Sequence, residues 1–276
     1  LASSTTDQRP ASPSDGYMRY NTDLDLIEVF YSSDWVDIAT GNIVTGIVTD
    51  GLVLYLDAGN SSSYPGSGTT WTDLSGNGYN FTINANAYTT SGGISYMSFI
   101  NDTNGGAKRV VGGSLSDVPN YQNGTFMVFS TILNSTSTWR TLVRGAAGDH
   151  AAIIESGTNN LGMYDNATGF YDSGFDITSL PSPYTQFNCL IWKPSQSSPY
   201  YSFQYNDNST TYTITNANAT FDVGFASIGC FHDNSTIPTS SSQYWGNISV
   251  FLYYNKHLSS SEIQQNYNYF KGRFGL

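Results

Sequence analysis

The sequence predicts an all-β fold of antiparallel strands, and three observations support this prediction. From residue 49 to residue 258, short apolar segments alternate with polar loops rich in Gly, Asn, Asp and Pro, a pattern typical of a β-sandwich. No long stretch before residue 259 repeats its apolar residues with helical spacing. Charged residues make up 11% of the chain, against about 25% in typical globular proteins, so uncharged polar residues must form most of the surface.

The chain begins with a segment that we predict to be an extended linker. Residues 1–16, LASSTTDQRPASPSDG, are rich in Ser, Thr and Pro and nearly devoid of apolar residues, which is typical of loops. Residues 17–40 place three short apolar segments around the turn sequences TDLD and SSD, which predicts a small β meander. Residues 41–48 form the predicted connector to the next domain.

The predicted meander is too small to bury a core of its own, because a few short strands are only marginally stable in isolation. Its apolar side chains must pack against something else, and exposed apolar patches usually mark an interface. We expect the meander to pack on a partner chain or the rest of a longer fibre, on the sandwich, or on other copies of the chain. The predicted interface residues are Tyr20, Leu26, Phe30 and Trp35.

Residues 49–276 form the predicted sandwich, which closes with a short C-terminal helix. Ser259 and Glu262 have the spacing of a capping box, in which each side chain accepts from the other residue's backbone amide. Gly272 is the predicted end of the helix. The helix is expected to dock on the sandwich through an apolar face formed by Ile263, Tyr267 and Phe270.

Two stretches resemble one known family. Residues 51–78, GLVLYLDAGNSSSYPGSGTTWTDLSGNG, resemble the opening of the laminin G-like, concanavalin A-like lectin-type domains of phage and marine-virus structural proteins. Residues 245–276, WGNISVFLYYNKHLSSSEIQQNYNYFKGRFGL, resemble the final strand and closing helix of the same domains. This resemblance implies an antiparallel β-sandwich, a fold that carries many unrelated functions.

The N-terminal segment resembles a second module, found in phage fibre and appendage proteins. Its QRP, SP, G, RYN and W positions match Gln8–Pro10, Ser12–Pro13, Gly16, Arg19–Asn21 and Trp35. The resemblance implies attachment to a particle and assembly into homo-oligomers. Phage appendages that resemble this module are often trimers, so the resemblance favours a trimer.

Charge and hydropathy exclude two classes of partner. The formal net charge is −11 and the pI is about 4.3, whereas binding to nucleic-acid phosphates requires clustered Lys and Arg. No apolar run is long enough to cross a bilayer, so we expect no membrane insertion. Cys189 and Cys230 each lie in an apolar segment, and the sequence leaves open whether they are free thiols or a disulfide.

The sequence lacks the residue patterns of enzymes on this kind of fold, so we expect no catalytic activity. A glycoside hydrolase needs two closely placed carboxylates. The only glutamates are Glu28, Glu155 and Glu262, and they are far apart in sequence with no Glu-x-Asp pair. No Gly-x-Ser-x-Gly sequence supports a serine nucleophile.

Two sets of binding residues are predicted. Aromatic rings in loops can stack on sugars, although the same residues also serve as core or turn packing. The candidates are Tyr64, Trp71, Tyr171 and Trp245. No cofactor is required, but structural calcium is possible where loop oxygens cluster, and the alternative is that these residues only shape a strand end and a turn. The candidates are Asp57, Asp73 and Asn77.

The sequence therefore predicts a non-enzymatic virion structural protein, such as a tail fibre or a capsid fibre or decoration. Its lectin-like sandwich would bind host-surface glycans, and its partners would be copies of itself and other virion proteins. The predicted location is the virion surface. The alternative is a cell-surface adhesin or extracellular filament subunit of a cellular organism, which would be secreted or held at the cell surface.

Overall fold

The structure is a computed structural model, and it divides the chain into two compact units. The terminal unit comprises residues 1–50 and 258–276, and the sandwich unit comprises residues 51–257. The structure does not describe the side chains of residues 110–112, 121 and 225–227. The structure describes residues 1–38, 46–83, 87–99, 110–112, 121–133, 138–145, 149–180, 182–206, 209–219, 225–229 and 245–276.

The terminal unit contains a four-stranded sheet in the order β1-β2-β3-β4. Its strands are β1 (Ala2–Ser4), β2 (Met18–Asn21), β3 (Leu26–Tyr31) and β4 (Asp34–Asp37). Strand β1 runs parallel to β2, and the other pairs are antiparallel. The prediction of an extended linker over residues 1–16 is therefore wrong, because this segment supplies β1 and a 3₁₀ turn at Thr6–Gln8. Most of the predicted connector, residues 41–45, lies outside the described residues.

Helix α1 (Ser260–Phe274) belongs to the terminal unit. Its capping box is confirmed, since Ser259 Oγ accepts from the Glu262 amide and the Glu262 carboxylate accepts from the Ser259 amide. The helix continues past Gly272 and ends before Gly275, which adopts φ 67°. Within the same unit, Asn266 Oδ1 on α1 accepts from the Val48 amide at 2.8 Å. The prediction that the sandwich domain includes the helix is thus corrected, because the helix forms one compact unit with residues 1–50.

The described residues of the sandwich unit form sixteen strands in two antiparallel sheets, which confirms the predicted fold class. The strands are β5 (Leu52–Asp57), β6 (Thr70–Trp71), β7 (Phe81–Ile83), β8 (Tyr88–Ser91), β9 (Ile94–Ser98), β10 (Val110–Gly112), β11 (Thr125–Ser130), β12 (Arg140–Gly145), β13 (His150–Ile154), β14 (Asn160–Asp165), β15 (Gly169–Asp176), β16 (Asn188–Pro194), β17 (Tyr201–Tyr205), β18 (Tyr212–Ile214), β19 (Phe225–Ile228) and β20 (Asn247–Tyr254).

The first sheet has the order β18-β17-β16-β11-β20-β9-β8, with β5 also paired to β20. The second sheet has the order β15-β14-β13-β12-β19-β10-β7-β6. Apolar side chains from both sheets meet in one core, where the Phe126 and Trp192 rings stack at 4.5 Å. Among the described residues, no helix is long and apolar enough to cross a membrane.

Candidate functional site

Three of the four aromatic residues predicted to stack on sugars lie in the core. Trp71 and Trp245 are 0% exposed and Tyr64 is 2% exposed. Trp245 donates its indole N–H to Ser130 Oγ at 3.0 Å. A ring covered on both faces offers no surface to a sugar, so these three positions are corrected to core packing. Tyr171 is half-buried and packs against the core, and its hydroxyl donates to Thr168 Oγ1 at 2.8 Å.

The residues predicted for calcium shape two turns: Asp57 the turn after β5, and Asp73 and Asn77 the turn after β6. Asp73 Oδ1 accepts from the Tyr55 amide at 2.9 Å, and its Oδ2 accepts from Ser75 Oγ at 2.7 Å. The Asp57 carboxylate accepts from the Gly59 amide at 2.8 Å. Asn77 uses its amide as a donor to the carbonyl of Val53 at 3.0 Å. These contacts explain both turns, and calcium at these residues stays a prediction.

Charged and polar side chains meet on one side of the terminal sheet. The buried Glu28 carboxylate accepts from Arg9 Nε at 3.0 Å and from Asn21 Nδ2 at 3.2 Å, and it lies 3.5 Å from Arg19 Nε. The guanidinium carbons of Arg9 and Arg19 lie 5.4 and 5.8 Å from the centre of the Trp35 ring. Such cation–π contacts are strongest when the groups are removed from water.

This arrangement changes the predicted oligomer interface. Trp35 is 8% exposed, and Phe30 packs edge-on against it at 5.5 Å. Leu26 pairs with buried Asn21 on the same side of the sheet. These three residues therefore face the charged and polar side chains, whereas Tyr20 points to the other side. That outer side also carries Tyr31 and Asp34 at one end. Its other residues, which we call the terminal apolar face, are Met18, Tyr20, Ile27, Val29, Val36 and Ile38.

A row of side chains crosses the outer face of the second sheet of the sandwich unit. Arg144 on β12 is opposite His150 on β13, His150 is opposite Tyr164 on β14, and Tyr164 is opposite Phe170 on β15. Directly opposite residues of antiparallel strands project to the same face. The neighbouring residue Met163 fills the core, so the four side chains point away from it. We call them the outer row.

Trp139, just before β12, lies against two rings of this row. Its ring centre is 5.8 Å from that of Tyr164 and 5.4 Å from that of Phe170, with interplanar angles of 77° and 74°. All three rings are half-buried. The Trp139 indole N–H and the Tyr164 hydroxyl make no hydrogen bond to any described residue. The cluster therefore offers both ring surface and polar groups to a ligand.

Gly162 makes room for the Phe170 ring. A Cβ atom at position 162 would lie 2.6 Å from a Phe170 ring carbon and 2.1 Å from the Tyr171 carbonyl oxygen. Real Cβ atoms do not approach that closely, so Gly is required where the ring covers the β14 backbone. Because residue 162 has no side chain, the Phe170 ring can lie against the β14 backbone at the end of the outer row.

Polar groups lie beside the Phe170 ring on the edge strand β15. Asp172 is exposed and pairs opposite Gly162, so it lies on the same face as Phe170. Its Oδ2 accepts from Asn160 Nδ2 at 2.7 Å, and its Oδ1 accepts from the Gly174 amide at 2.7 Å. These hydrogen bonds fix the Asp172 carboxylate and the Asn160 amide beside the Phe170 ring, where they provide acceptors and donors.

The other end of the row is buried and partly charged. Thr141 Oγ1 lies 3.1 Å from His150 Nδ1, and the His150 ring packs edge-on against Tyr164 at 5.8 Å. Burial, with a smaller contribution from the charge of Arg144, lowers the pKa of His150 from 6.5 to about 3. His150 is therefore a neutral imidazole at neutral pH.

The outer row combines the features of a sugar-binding surface. Together with Trp139, Asp172 and Asn160, it presents ring surface, an indole N–H, a phenol, a carboxylate and an amide, which are groups able to contact the C–H faces and the hydroxyls of a sugar. Sequence analysis missed this site. Part of the site could have been found from the alternating segments Gly162-Met163-Tyr164 and Phe170-Tyr171-Asp172, which flank a turn and so predict a hairpin. The contact of Trp139 with these residues could not, because it depends on the order of the strands in the sheet.

Comparison with known proteins places the chain by fold. No family model matches the chain, and no curated protein matches it. A mutant of Trypanosoma rangeli sialidase displaying trans-sialidase activity matches with a TM-score of 0.54 and 13% identity, over 86% of this chain and 35% of the sialidase chain.

Botulinum neurotoxin structures match as well. The binding domain of botulinum neurotoxin DC in complex with rat synaptotagmin II has a TM-score of 0.52 and 13% identity, over 80% of this chain and 52% of that chain. A structure of botulinum neurotoxin type C, whose cell entry depends on two ganglioside molecules, has a TM-score of 0.51 and 14% identity, over 80% of this chain and 51% of that chain. The chain thus spans from about a third to about a half of these chains, and at such identities the likeness shows the fold alone.

Proposed function

We propose that the sandwich unit binds glycans at the outer row. The observation that carries this proposal is the cluster of Trp139, Tyr164 and Phe170, whose half-buried rings lie on an outward sheet face beside the Asp172–Asn160 pair. Ligand sites typically combine aromatic surface with a few fixed polar groups. The ganglioside dependence of a structure with the same fold gives this proposal additional, weaker support.

The proposed activity is binding without turnover. Each glutamate has a structural partner: Glu28 pairs with Arg9, Glu155 accepts from the Thr158 hydroxyl, and Glu262 caps α1. No group of three or more His, Cys, Asp or Glu side chains that could hold a metal is found in the part of the chain that the structure describes. These observations favour a binding module, and purified protein should release no reducing ends from glycans.

A glycan array followed by titration calorimetry tests the binding site. We expect one or more glycans to bind the intact chain, and Trp139→Ala or Phe170→Ala to weaken that binding by about tenfold or more, given the usual worth of a buried aromatic contact. Tyr184→Ala is the matched control, because Tyr184 is an exposed tyrosine outside the row. Equal affinity in the Trp139 variant, the Phe170 variant and the control would exclude the outer row as the site.

The terminal unit supports a second part of the proposal, a role in assembly on a virus particle. The terminal apolar face includes Met18, Ile27 and Ile38, which are 42%, 39% and 47% exposed. A contiguous apolar sheet face suggests an interface, and the resemblance to phage appendage modules suggests that copies of this chain form it as a trimer. The protein would then display its sandwich on the virion surface. Antibody labelling of purified particles tests this location, and labelling of host cell envelopes alone would favour the cell-surface alternative.

A further inference from the structure

Two exposed carboxylates lie on the same sheet face as the rings of the outer row. Asp172 follows Phe170 by two residues on β15, so both side chains project to this face, about 7 Å apart along the strand. Asn160 is next to Leu161, whose side chain lies in the core, so Asn160 projects outward, and Asp176 is directly opposite it. The β14–β15 end of the row therefore carries two negative charges.

The Asp172 carboxylate is held in place and still has room for a ligand. Its Oδ2 accepts from Asn160 Nδ2 and its Oδ1 accepts from the Gly174 amide, both at 2.7 Å. A carboxylate has about four lone-pair sites, so these two bonds leave further sites that can accept from a sugar hydroxyl. The carboxylate has no hydrogen to donate, so it repels a ligand carboxylate or sulfate at the same position.

The cation of the outer row lies at its opposite end. Arg144 is 7% exposed and lies three strands away from Phe170, which is about 14 Å at the usual strand spacing. Charges at the surface are screened over about 8 Å at physiological ionic strength. At the Phe170 ring, the exposed charge of Asp172 therefore outweighs that of Arg144.

Sequence and strand order account for the other Lys and Arg residues of the second sheet. Arg140 on β12 is opposite Ile154, which lies in the core, so Arg140 projects to the other face. Residues 134–137 and 146–148, which flank β12 and lie outside the described residues, contain no Lys or Arg. Lys108 and Arg109 directly precede β10, which is five strands from β15. A ligand that covers the Phe170 ring therefore meets negative charge.

We infer that the outer row takes neutral glycans and rejects those that carry a carboxylate or a sulfate on the sugar over Phe170, and that Asp172 sets this selectivity. The inference rests on the function proposed above and names the class of glycan that the site accepts. A neutral sugar donates a hydroxyl hydrogen bond to Asp172, whereas an anionic sugar loses hydration and meets a like charge. Specific sites commonly combine such a repulsive element with attractive contacts.

Pairs of glycans that differ in charge test the selectivity. An array that carries neutral oligosaccharides beside their sulfated, sialylated and uronic acid counterparts is probed with the full chain, and each pair with a bound member is then titrated by calorimetry. We expect the neutral member of each pair to bind at least tenfold more tightly. Raising the salt concentration from about 0.1 M to about 1 M, which shortens the screening length from about 10 Å to about 3 Å, should narrow this ratio.

Variants at position 172 test which residue is responsible. Asp172→Asn removes the charge and keeps the shape, because the Asn160 amide can turn to preserve its hydrogen bond. This variant should raise the affinity for the anionic member, relative to the neutral one, several-fold, and Asp172→Lys should reverse the preference. Asp34→Asn makes the same change in net charge at an exposed position of the terminal unit and should leave the ratio as it is.

The results separate this inference from the proposed function. The selectivity would be overturned if anionic members bound as tightly as neutral ones or more tightly, or if the ratio were the same in Asp172→Asn and the unmodified chain. In either case, loss of binding in Trp139→Ala would still support the outer row as the site. Binding to no glycan of either kind would overturn both the site and its selectivity.

Discussion

Arg9 and Glu28 are joined by a salt bridge that ties the first ten residues of the chain to the central strand of the terminal sheet, with Arg9 Nε 3.0 Å from Glu28 Oε1. Glu28 also neutralises Arg19, whose side chain is 1% exposed. The buried carboxylate therefore pairs with two guanidinium groups. Removing one partner of such a pair leaves an uncompensated buried charge.

Glu28→Ala should release residues 1–9 from the terminal sheet. We expect a loss of about 3–5 kcal/mol in the stability of the terminal unit, the usual cost of breaking a buried ion pair. Hydrogen exchange of the β1 and β2 amides measures this locally. Asp34→Ala, which removes an exposed carboxylate of the same sheet, is the control. Unchanged exchange in Glu28→Ala would show that the ion pairs do not hold this segment.

Gly162→Ala should disturb both the second sheet and the outer row. The new methyl group would lie 2.1 Å from the Tyr171 carbonyl oxygen and 2.6 Å from the Phe170 ring. Overpacking of this kind typically costs about 1–3 kcal/mol, and the displaced ring should also reduce glycan binding. Denaturant unfolding and calorimetry measure the two effects. Full stability with full binding would contradict the described position of Phe170.

His150 should make the stability of the sandwich unit dependent on pH. Its pKa falls from 6.5 to about 3 on folding, chiefly because of burial. The unfolded chain therefore binds a proton that the folded protein does not, so the contribution to stability that is present above pH 6.5 is lost as the pH falls toward 3. Urea unfolding at several pH values across this window measures the slope.

The control for this pH dependence is a second histidine. His150→Gln should flatten the slope across the acidic range, whereas His257→Gln should leave it in place, because His257 lies outside the outer row. A slope that is the same in the His150 variant and the unmodified protein would assign the acid sensitivity to other groups.

Gly272→Ala should destabilise the terminal unit. The Cα of Gly272 faces the β2–β3 turn, and an added Cβ would lie 2.0 Å from the Asp23 carbonyl oxygen. In an exposed helix the same change would be stabilising by up to about 1 kcal/mol, so a loss of stability is diagnostic of the close contact. Asn268→Ala, at an exposed position of α1, is the matched control and should be neutral or stabilising.

Ile27→Asp should dissociate the oligomer without unfolding the chain. Ile27 is 39% exposed in the middle strand of the terminal apolar face, so a charge there is tolerated in a monomer and strongly unfavourable in an apolar interface. Light scattering should show a trimer for the intact chain and a monomer for the variant. Thr22→Asp, at an exposed turn position, should remain a trimer. A monomeric intact chain would contradict this prediction.

Sequence patterns predicted the sandwich and the capping box because both depend on short-range order. Alternating apolar residues bounded by turn formers define strands wherever they occur, and Ser259 and Glu262 interact across a single helical turn. The inner positions of Trp71 and Trp245 were not predictable in this way, since the sheet that covers a ring is set by strands distant in sequence. The buried contact between Thr6 and Asn21 could not be predicted either. It is made by hydrogen bonds between polar side chains, and a hydrophobic pattern does not indicate such bonds.

The division of the chain has a consequence for the order in which it folds during synthesis. Residues 1–50 are made before residues 51–257, but α1, which belongs to the same compact unit as residues 1–50, is made after them. Domains generally fold as they emerge, so residues 51–257 can assemble their sheets while the first segment still waits for its partner. Throughout that interval residues 1–50 lack the helix that belongs to their unit. The terminal unit is therefore most open to premature association while residues 51–257 are being made, and the synthesis of residues 258–276 ends that interval.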